Sequence, residues 1–65
     1  MENLIKGLQI LQKYVNESAP AENYLETGFE CLHIFAEGSL MTKDSIRLGK
    51  LGWIENPNDT WTFEY

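Results

Sequence analysis

The sequence predicts an α+β domain in which two helices pack on a small, mainly antiparallel sheet. Three features predict it: a helical apolar stripe near the N-terminus, a short β-rich segment in the middle, and two aromatic segments around a run of turn formers at the C-terminal end. A chain of 65 residues builds only one hydrophobic core, so we expect a single domain over residues 1–65. The predicted element order is α-(β)-β-α-β-β, with the bracketed strand resting on the fewest residues.

The first helix is predicted over residues 3–16 and is expected to end before Pro20, which cannot continue it. Its apolar residues recur at intervals of three and four, the spacing of one helical face; they are Leu4, Leu8, Leu11 and Val15. Ile10 and Tyr14 lie roughly 100° around the helix from this stripe. They form a second apolar edge, which is either part of a broad core face or a surface for a partner.

A strand is predicted over residues 29–36, because this segment is rich in aromatic and β-branched residues and lies between Gly28 and Gly38. Apolar residues occupy both of its faces, which favours a central position in the sheet. A shorter strand over residues 23–26 is expected to pair with it through a turn at Thr27 and Gly28.

The second helix is predicted over residues 42–51. Thr42 is expected to cap it, and Asp44 in the first turn complements the positive end of the helix dipole. Gly49 inside the helix predicts a close packing contact. Gly52 is expected to end the helix, since glycine adopts the left-handed conformation common at this position.

A β-hairpin is predicted at the end of the chain, with strands over residues 53–56 and 60–65 around the turn formers Asn56-Pro57-Asn58-Asp59. In the last strand Trp61 and Phe63 alternate with polar residues, so they are expected to face the helices.

The composition predicts a folded, acidic protein. With 43% hydrophobic and 12% aromatic residues and a net charge of −5, the chain lies outside the disordered class and is disfavoured for non-specific binding to nucleic acid or anionic lipid. Cys31 has no cysteine to pair with in the chain and fits a reducing, cytoplasmic location. We expect no membrane insertion or secretion, because the sequence contains neither a stretch of about 20 apolar residues nor a basic signal region.

No catalytic, metal or cofactor site is predicted. Cys31 and His33 share one face of a strand, but their backbones are about 6.6–7 Å apart and no third catalytic member is evident, so we interpret both as structural. Structural zinc usually needs four ligands of these types, and no glycine-rich phosphate loop is present. The sequence therefore predicts a protein that is not an enzyme.

The segment from Met41 to Trp53, ending in Leu51-Gly52-Trp53, is followed by Trp61-Thr62-Phe63 in the last strand. In these residues the chain resembles small phage and prophage proteins that end in a helix, a Leu-Gly-Trp motif and a tryptophan-bearing strand. The resemblance extends over residues 29–65 at most. It implies a phage or mobile-element accessory context and no chemistry.

From these observations we expect a non-enzymatic accessory protein that binds another protein, such as a host or defence component that it inhibits. The acidic surface and the second apolar edge of the first helix are the predicted binding regions. The candidate partner-binding residues are Ile10, Tyr14, Glu22, Glu26 and Glu30.

Two alternatives belong to other classes. A winged-helix-like protein would bind nucleic acid through Lys43, Arg47 and Lys50 of the second helix. Against it, three cations contact few phosphates, and a strand instead of a helix is predicted directly upstream. A self-assembling module would pair two copies through a sheet edge or the second apolar edge, as in a homodimer.

Overall fold

The computed structural model describes residues 2–16 and 18–65, which form two helices and a four-stranded sheet. The predicted α+β class is confirmed. The helices are α1 (Glu2–Leu11) and α2 (Thr42–Lys50), and the strands are β1 (Leu25–Gly28), β2 (Cys31–Phe35), β3 (Trp53–Asn56) and β4 (Thr60–Glu64).

The sheet is antiparallel throughout, with the strand order β1-β2-β4-β3. β2 is therefore a central strand, as predicted. The chain leaves β2 through α2, forms β3 at the outer edge, and returns as β4 beside β2. In this register Leu32 lies opposite Phe63, and Ile34 lies opposite Trp61.

One face of the sheet packs against both helices. The buried apolar side chains come from α1, α2 and three strands, and they are Ile10, Leu11, Leu32, Ile34, Leu48, Trp53 and Trp61. Because both helices contribute to this one core, they lie on the same side of the sheet. The opposite side, which we call the open face, carries the alternate residues of each strand, among them Cys31, His33, Ile54 and Thr62.

The first helix is shorter than predicted. The α-helix ends at Leu11, and the chain continues as a tighter 3-10 turn over Gln12–Tyr14 before Val15 becomes extended, with φ of −121°. Such a tightened last turn is common at the end of an α-helix. The predicted helical residue Asn16 lies outside it.

The first hairpin lies about two residues further along the chain than predicted. After Pro20 a 3-10 turn occupies Ala21–Asn23, so β1 begins only at Leu25. The turn is formed by Phe29 and Glu30 instead of Thr27 and Gly28, since Gly28 pairs with Cys31. The prediction that the central strand begins at residue 29 is wrong for this reason.

Helix α2 matches its predicted span to within one residue, but two details of it are wrong. Met41, with extended φ and ψ of −60° and 145°, occupies the N-cap position, so the helix begins at Thr42 and is capped by no side chain. A methyl group added at Gly49 would meet nothing within 4 Å, so this glycine marks no close contact. Gly52 ends the helix in the left-handed region, with φ of 93°, as predicted.

The C-terminal hairpin is confirmed. β3 and β4 pair across the turn, in which Asn58 and Asp59 have φ of 64° and 58°. These two residue types tolerate the left-handed region better than most. The rings of Trp53 and Phe63, which are cross-strand partners, lie with centroids 5.2 Å apart at a tilted angle.

Candidate functional site

Charge is separated between the two layers of the molecule. Across residues 2–16 and 18–65, every lysine and arginine lies in α1, in the 3-10 turn that extends it, or in α2. These five cations are Lys6, Lys13, Lys43, Arg47 and Lys50. The described carboxylates outside the two α-helices lie in the strands and their connections, and they are Glu22, Glu26, Glu30, Glu37, Glu55, Asp59 and Glu64. The helical layer is thus cationic and the sheet layer acidic.

One end of the sheet combines acidic residues with exposed aromatic rings. Phe29, in the turn between β1 and β2, is 91% exposed, and Tyr65 is 62% exposed. Tyr65 donates its backbone N–H to the carbonyl oxygen of Glu30 at 2.8 Å, which brings the C-terminal end of β4 beside this turn. Glu64 lies opposite Cys31 in the same ladder. We call Phe29, Glu30, Glu64 and Tyr65 the acidic-aromatic tip.

The predicted acidic residues do not all come together. Glu30 belongs to the tip, and Glu26 lies on β1, opposite His33 on the open face. Glu22 lies in the 3-10 turn that precedes β1, at the far end of that strand from Glu30. The sequence missed Phe29 and Tyr65, because the first was predicted inside a strand and the second carries no motif.

The second apolar edge of the first helix is part of the core. Ile10 is only 5% exposed, and Tyr14 is half-buried. Of the two interpretations of this edge, the structure shows the broad core face at Ile10, and binding of a partner by Ile10 stays a prediction. A polar residue at Ile10 is expected to destabilise the fold instead of leaving it intact.

Tyr14 joins the end of the first helix to the start of α2. Its hydroxyl donates to Oδ2 of Asp44 at 2.5 Å and accepts the backbone N–H of Met41 at 3.2 Å. Asp44 is 1% exposed, and Lys13 Nζ approaches the same Oδ2 at 3.4 Å. Within the described part of the chain, Oδ1 of Asp44 has no hydrogen-bond partner. This buried carboxylate is therefore a structural link between the helices.

The contacts of Asp44 favour its ionised form. The hydrogen bond from Tyr14 holds the pKa of the Asp44 carboxyl below its usual value, and Lys13 acts in the same direction, while burial opposes both. A carboxyl whose pKa is lower in the folded than in the unfolded state stabilises the fold above its unfolded pKa of about 4. That stabilisation is lost as the pH falls through the folded pKa.

Asp44→Asn is therefore expected to reduce the loss of stability that the protein shows as the pH is lowered. Between about pH 5 and about pH 3 the melting temperature of the wild type should fall more steeply than that of the variant. Tyr14→Phe should also make the melting temperature depend less steeply on pH, because it removes the hydrogen bond that is the largest cause of the lowered Asp44 pKa. Thermal unfolding followed by circular dichroism measures this, and equal slopes in all three proteins would contradict it.

The predicted nucleic-acid residues are all exposed on α2: Lys43, Arg47 and Lys50. Arg47 also lines a groove of about 500 Å3 between the helices, together with Lys6 and Lys13. The sequence missed Lys6 and Lys13 as companions of Arg47, because they lie 41 and 34 residues before it in the chain. Lys6 forms an i,i+4 ion pair with Glu2 at 2.8 Å.

A hydrogen-bonded chain of side chains crosses three strands on the open face. Sγ of Cys31 lies 3.5 Å from Nε2 of His33, and Nδ1 of His33 lies 2.7 Å from Oγ1 of Thr62. Asn56 donates its side-chain amide to the same Thr62 oxygen at 2.7 Å. The contact of His33 with Thr62, 29 residues later in the chain, was not evident from the sequence.

Among residues 2–16 and 18–65, no three His, Cys, Asp or Glu side chains are grouped so that they could hold a metal ion. Nor is any helix in this part of the protein both long and apolar enough to cross a membrane.

Comparison with protein-family models, with curated proteins and with solved structures finds no match for the chain. The phage-type context implied by the Leu-Gly-Trp resemblance therefore stays a prediction.

Proposed function

We propose that this protein acts by binding another protein through the acidic-aromatic tip. The observation that carries the proposal is the exposure of Phe29 and Tyr65, at 91% and 62%, at the same end of the sheet. Aromatic side chains are enriched among the residues that dominate binding energy at protein interfaces, because they bury a large area at a small entropic cost. These two solvent-exposed rings offer apolar area that a partner can bury on binding.

The carboxylates around these rings indicate the chemistry of the partner. Glu30 and Glu64 belong to the tip, and Glu26 lies on the adjoining part of β1. A basic protein surface would complement them, and charge complementarity increases both association rate and specificity. The partner we propose is a protein with an apolar patch surrounded by lysine or arginine.

The backbone at Glu30 gives further support. This residue has φ of 56°, in the left-handed region, which costs a residue with a side chain about 1–2 kcal/mol and costs glycine almost nothing. Strained positions of this kind cluster at functional sites. A glutamate at this strained position is consistent with a carboxylate that contacts the partner.

The wider role we propose is that of a phage or mobile-element accessory protein. The Leu-Gly-Trp resemblance supports this context, in which the partner would be a host or defence component and the site of action the host cytoplasm. No step in this role requires catalysis by the protein itself.

The proposal is tested by affinity capture with a tagged double variant, Phe29→Ser with Tyr65→Ser. Both side chains are exposed, so the folded state should remain within about 0.5 kcal/mol of the wild type. The matched control is Met41→Ser with Ile46→Ser, which removes two exposed apolar side chains, 60% and 54% exposed, from the helical side. Capture is quantified by mass spectrometry from the cells that express the protein.

We expect a stoichiometric protein partner to be retained by the wild type and the control and lost by the tip variant. The partner should also be released by salt, because the tip is acidic. Retention by the tip variant with loss in the control would contradict the proposal and move the interface to the helices.

A second candidate function is nucleic-acid binding by the helical layer. The observation that favours it is the grouping of Lys6, Lys13 and Arg47 around one groove, which adds cations from α1 to those of α2. A strand precedes α2, so the arrangement is not that of a winged helix. Fluorescence anisotropy with labelled duplex DNA at about 50 mM salt is the test. Binding that disappears on reversing Lys43, Arg47 and Lys50 to glutamate would support it, and no binding would exclude it.

Self-assembly is the third candidate. An acidic sheet layer and a cationic helical layer on one molecule are complementary to each other, so copies can associate head to tail, into a ring or an open chain. A light-scattering mass of the pure protein decides this: a monomer at low salt excludes self-assembly, whereas a larger mass that decreases with added salt supports it.

A further inference from the structure

The open face of the sheet presents a thiol and an imidazole in contact. Cys31 and His33 are two residues apart on β2, so their side chains leave the same face, and the sulfur and Nε2 approach to 3.5 Å. Both residues are half-buried, and neither helix packs on this face. A nucleophile within hydrogen-bond reach of a base is the first requirement for an activated thiol.

The imidazole is held in position from its other side. His33 Nδ1 lies 2.7 Å from Thr62 Oγ1, and Thr62 is itself 91% buried, at 9% exposure. Asn56 donates to the same oxygen at 2.7 Å. The two lone pairs of Thr62 Oγ1 can accept one N–H from Asn56 and one from Nδ1 of a doubly protonated His33. The arrangement therefore accommodates the imidazolium that forms when His33 takes a proton.

Space beside the sulfur is kept open by Gly28. This residue is the cross-strand partner of Cys31, and a methyl group added to it would lie 2.8 Å from the sulfur. Any larger residue would therefore crowd the thiol.

We propose that Cys31 is a reactive thiol, activated by His33 and positioned by Thr62, that exchanges with small disulfides. The S–H proton passes to Nε2 of His33, and the sulfur attacks one sulfur of the disulfide. A mixed disulfide forms on Cys31, and the second sulfur leaves as a thiolate that takes the proton from His33. Cys31 is oxidised and the small disulfide is reduced, so electrons and protons balance. The inference does not depend on the proposed binding function.

Carboxylates that face the pair set the preferred substrate. Glu26 on β1 lies opposite His33, and Glu64 on β4 lies opposite Cys31. These two carboxylates, paired with the residues of the site, repel an anionic reagent. The site should accordingly prefer neutral or cationic disulfides, such as hydroxyethyl disulfide or cystamine, over anionic ones such as oxidised glutathione.

The test is the rate at which the folded protein gains mass with hydroxyethyl disulfide or with iodoacetamide at about pH 7, compared with N-acetylcysteine under the same conditions. His33→Gln should slow the reaction of Cys31 by at least about tenfold, because general-base catalysis typically contributes about 100-fold or more. Thr62→Val should slow it by less. Thr60→Val, on the same face of β4 but without contact to His33, is the matched control and should react as the wild type does.

Two results would overturn the inference: a wild-type rate no higher than that of N-acetylcysteine, or an unchanged rate in folded His33→Gln. The first comparison uses only the wild type, so it decides the matter even if a variant fails to fold. Faster reaction with cystamine than with oxidised glutathione, with the difference reduced in Glu64→Gln, is the signature expected of this site.

Discussion

Replacing Gly7 with alanine is expected to remove much of the protein's stability. Gly7 is buried in α1 where the indole of Trp53 crosses the helix, and an added methyl group would overlap that ring, with Cδ1 only 2.7 Å away. The indole is also held by a hydrogen bond from Nε1 to the carbonyl oxygen of Asn3 at 3.3 Å. Overpacking of this kind costs about 1–3 kcal/mol or more. A core in a domain this small rarely supplies more than about 3–5 kcal/mol.

The matched control for this variant is Gly49→Ala. Gly49 is exposed in α2 with nothing within 4 Å of an added methyl group, so alanine should stabilise the helix by about 0.8–1 kcal/mol. Thermal unfolding by circular dichroism should show opposite shifts in the two variants. A Gly7→Ala protein as stable as the wild type would contradict the packing of Trp53 against α1.

Leu48→Ala is expected to have the second large effect. Leu48 is 0% exposed and attaches α2 to the core that the sheet and α1 share. Removing its side chain leaves a cavity and should cost about 2–5 kcal/mol, which is most of the stability available to such a domain.

Ile46→Ala in the same helix is the control for Leu48. Ile46 is 54% exposed, so its truncation should change the unfolding free energy by no more than about 0.5 kcal/mol. Urea denaturation monitored by tryptophan fluorescence compares the two variants. Equal losses would show that the buried face of α2 has been wrongly assigned.

The elements that sequence patterns predicted well are those with a strong local signal. The C-terminal hairpin follows from its turn formers and alternating aromatic residues, and α2 follows from its flanking Gly52. The first hairpin was misplaced by about two residues, because Phe29 reads as a strand residue although the turn places it almost entirely in water.

Contacts between distant parts of the chain could not be read from the sequence. Gly7 and Gly49 look alike as helical glycines, yet only Gly7 meets an indole, which comes from a strand 46 residues later. In the same way, Asp44 was predicted only to complement the dipole of α2 from its first turn, whereas the structure buries it in a hydrogen bond with Tyr14. Such features depend on how the helices cross, which local periodicity does not specify.

The candidate site was predicted in part. Acidic residues were expected to bind the partner, and Glu30 does lie at the tip, but the exposed aromatic rings of the tip were not identified. Cys31 and His33 were recognised as sharing a face, while Thr62 and Asn56 reach them only through the pairing of β2, β4 and β3.

The most direct test of the proposed function is amide hydrogen exchange of the protein with and without its captured partner. Binding through the acidic-aromatic tip predicts slower exchange at Phe29, Glu30 and Tyr65, with little change in α1 and α2. Slower exchange confined to the two helices, with the tip unchanged, would contradict it and place the interface on the cationic layer.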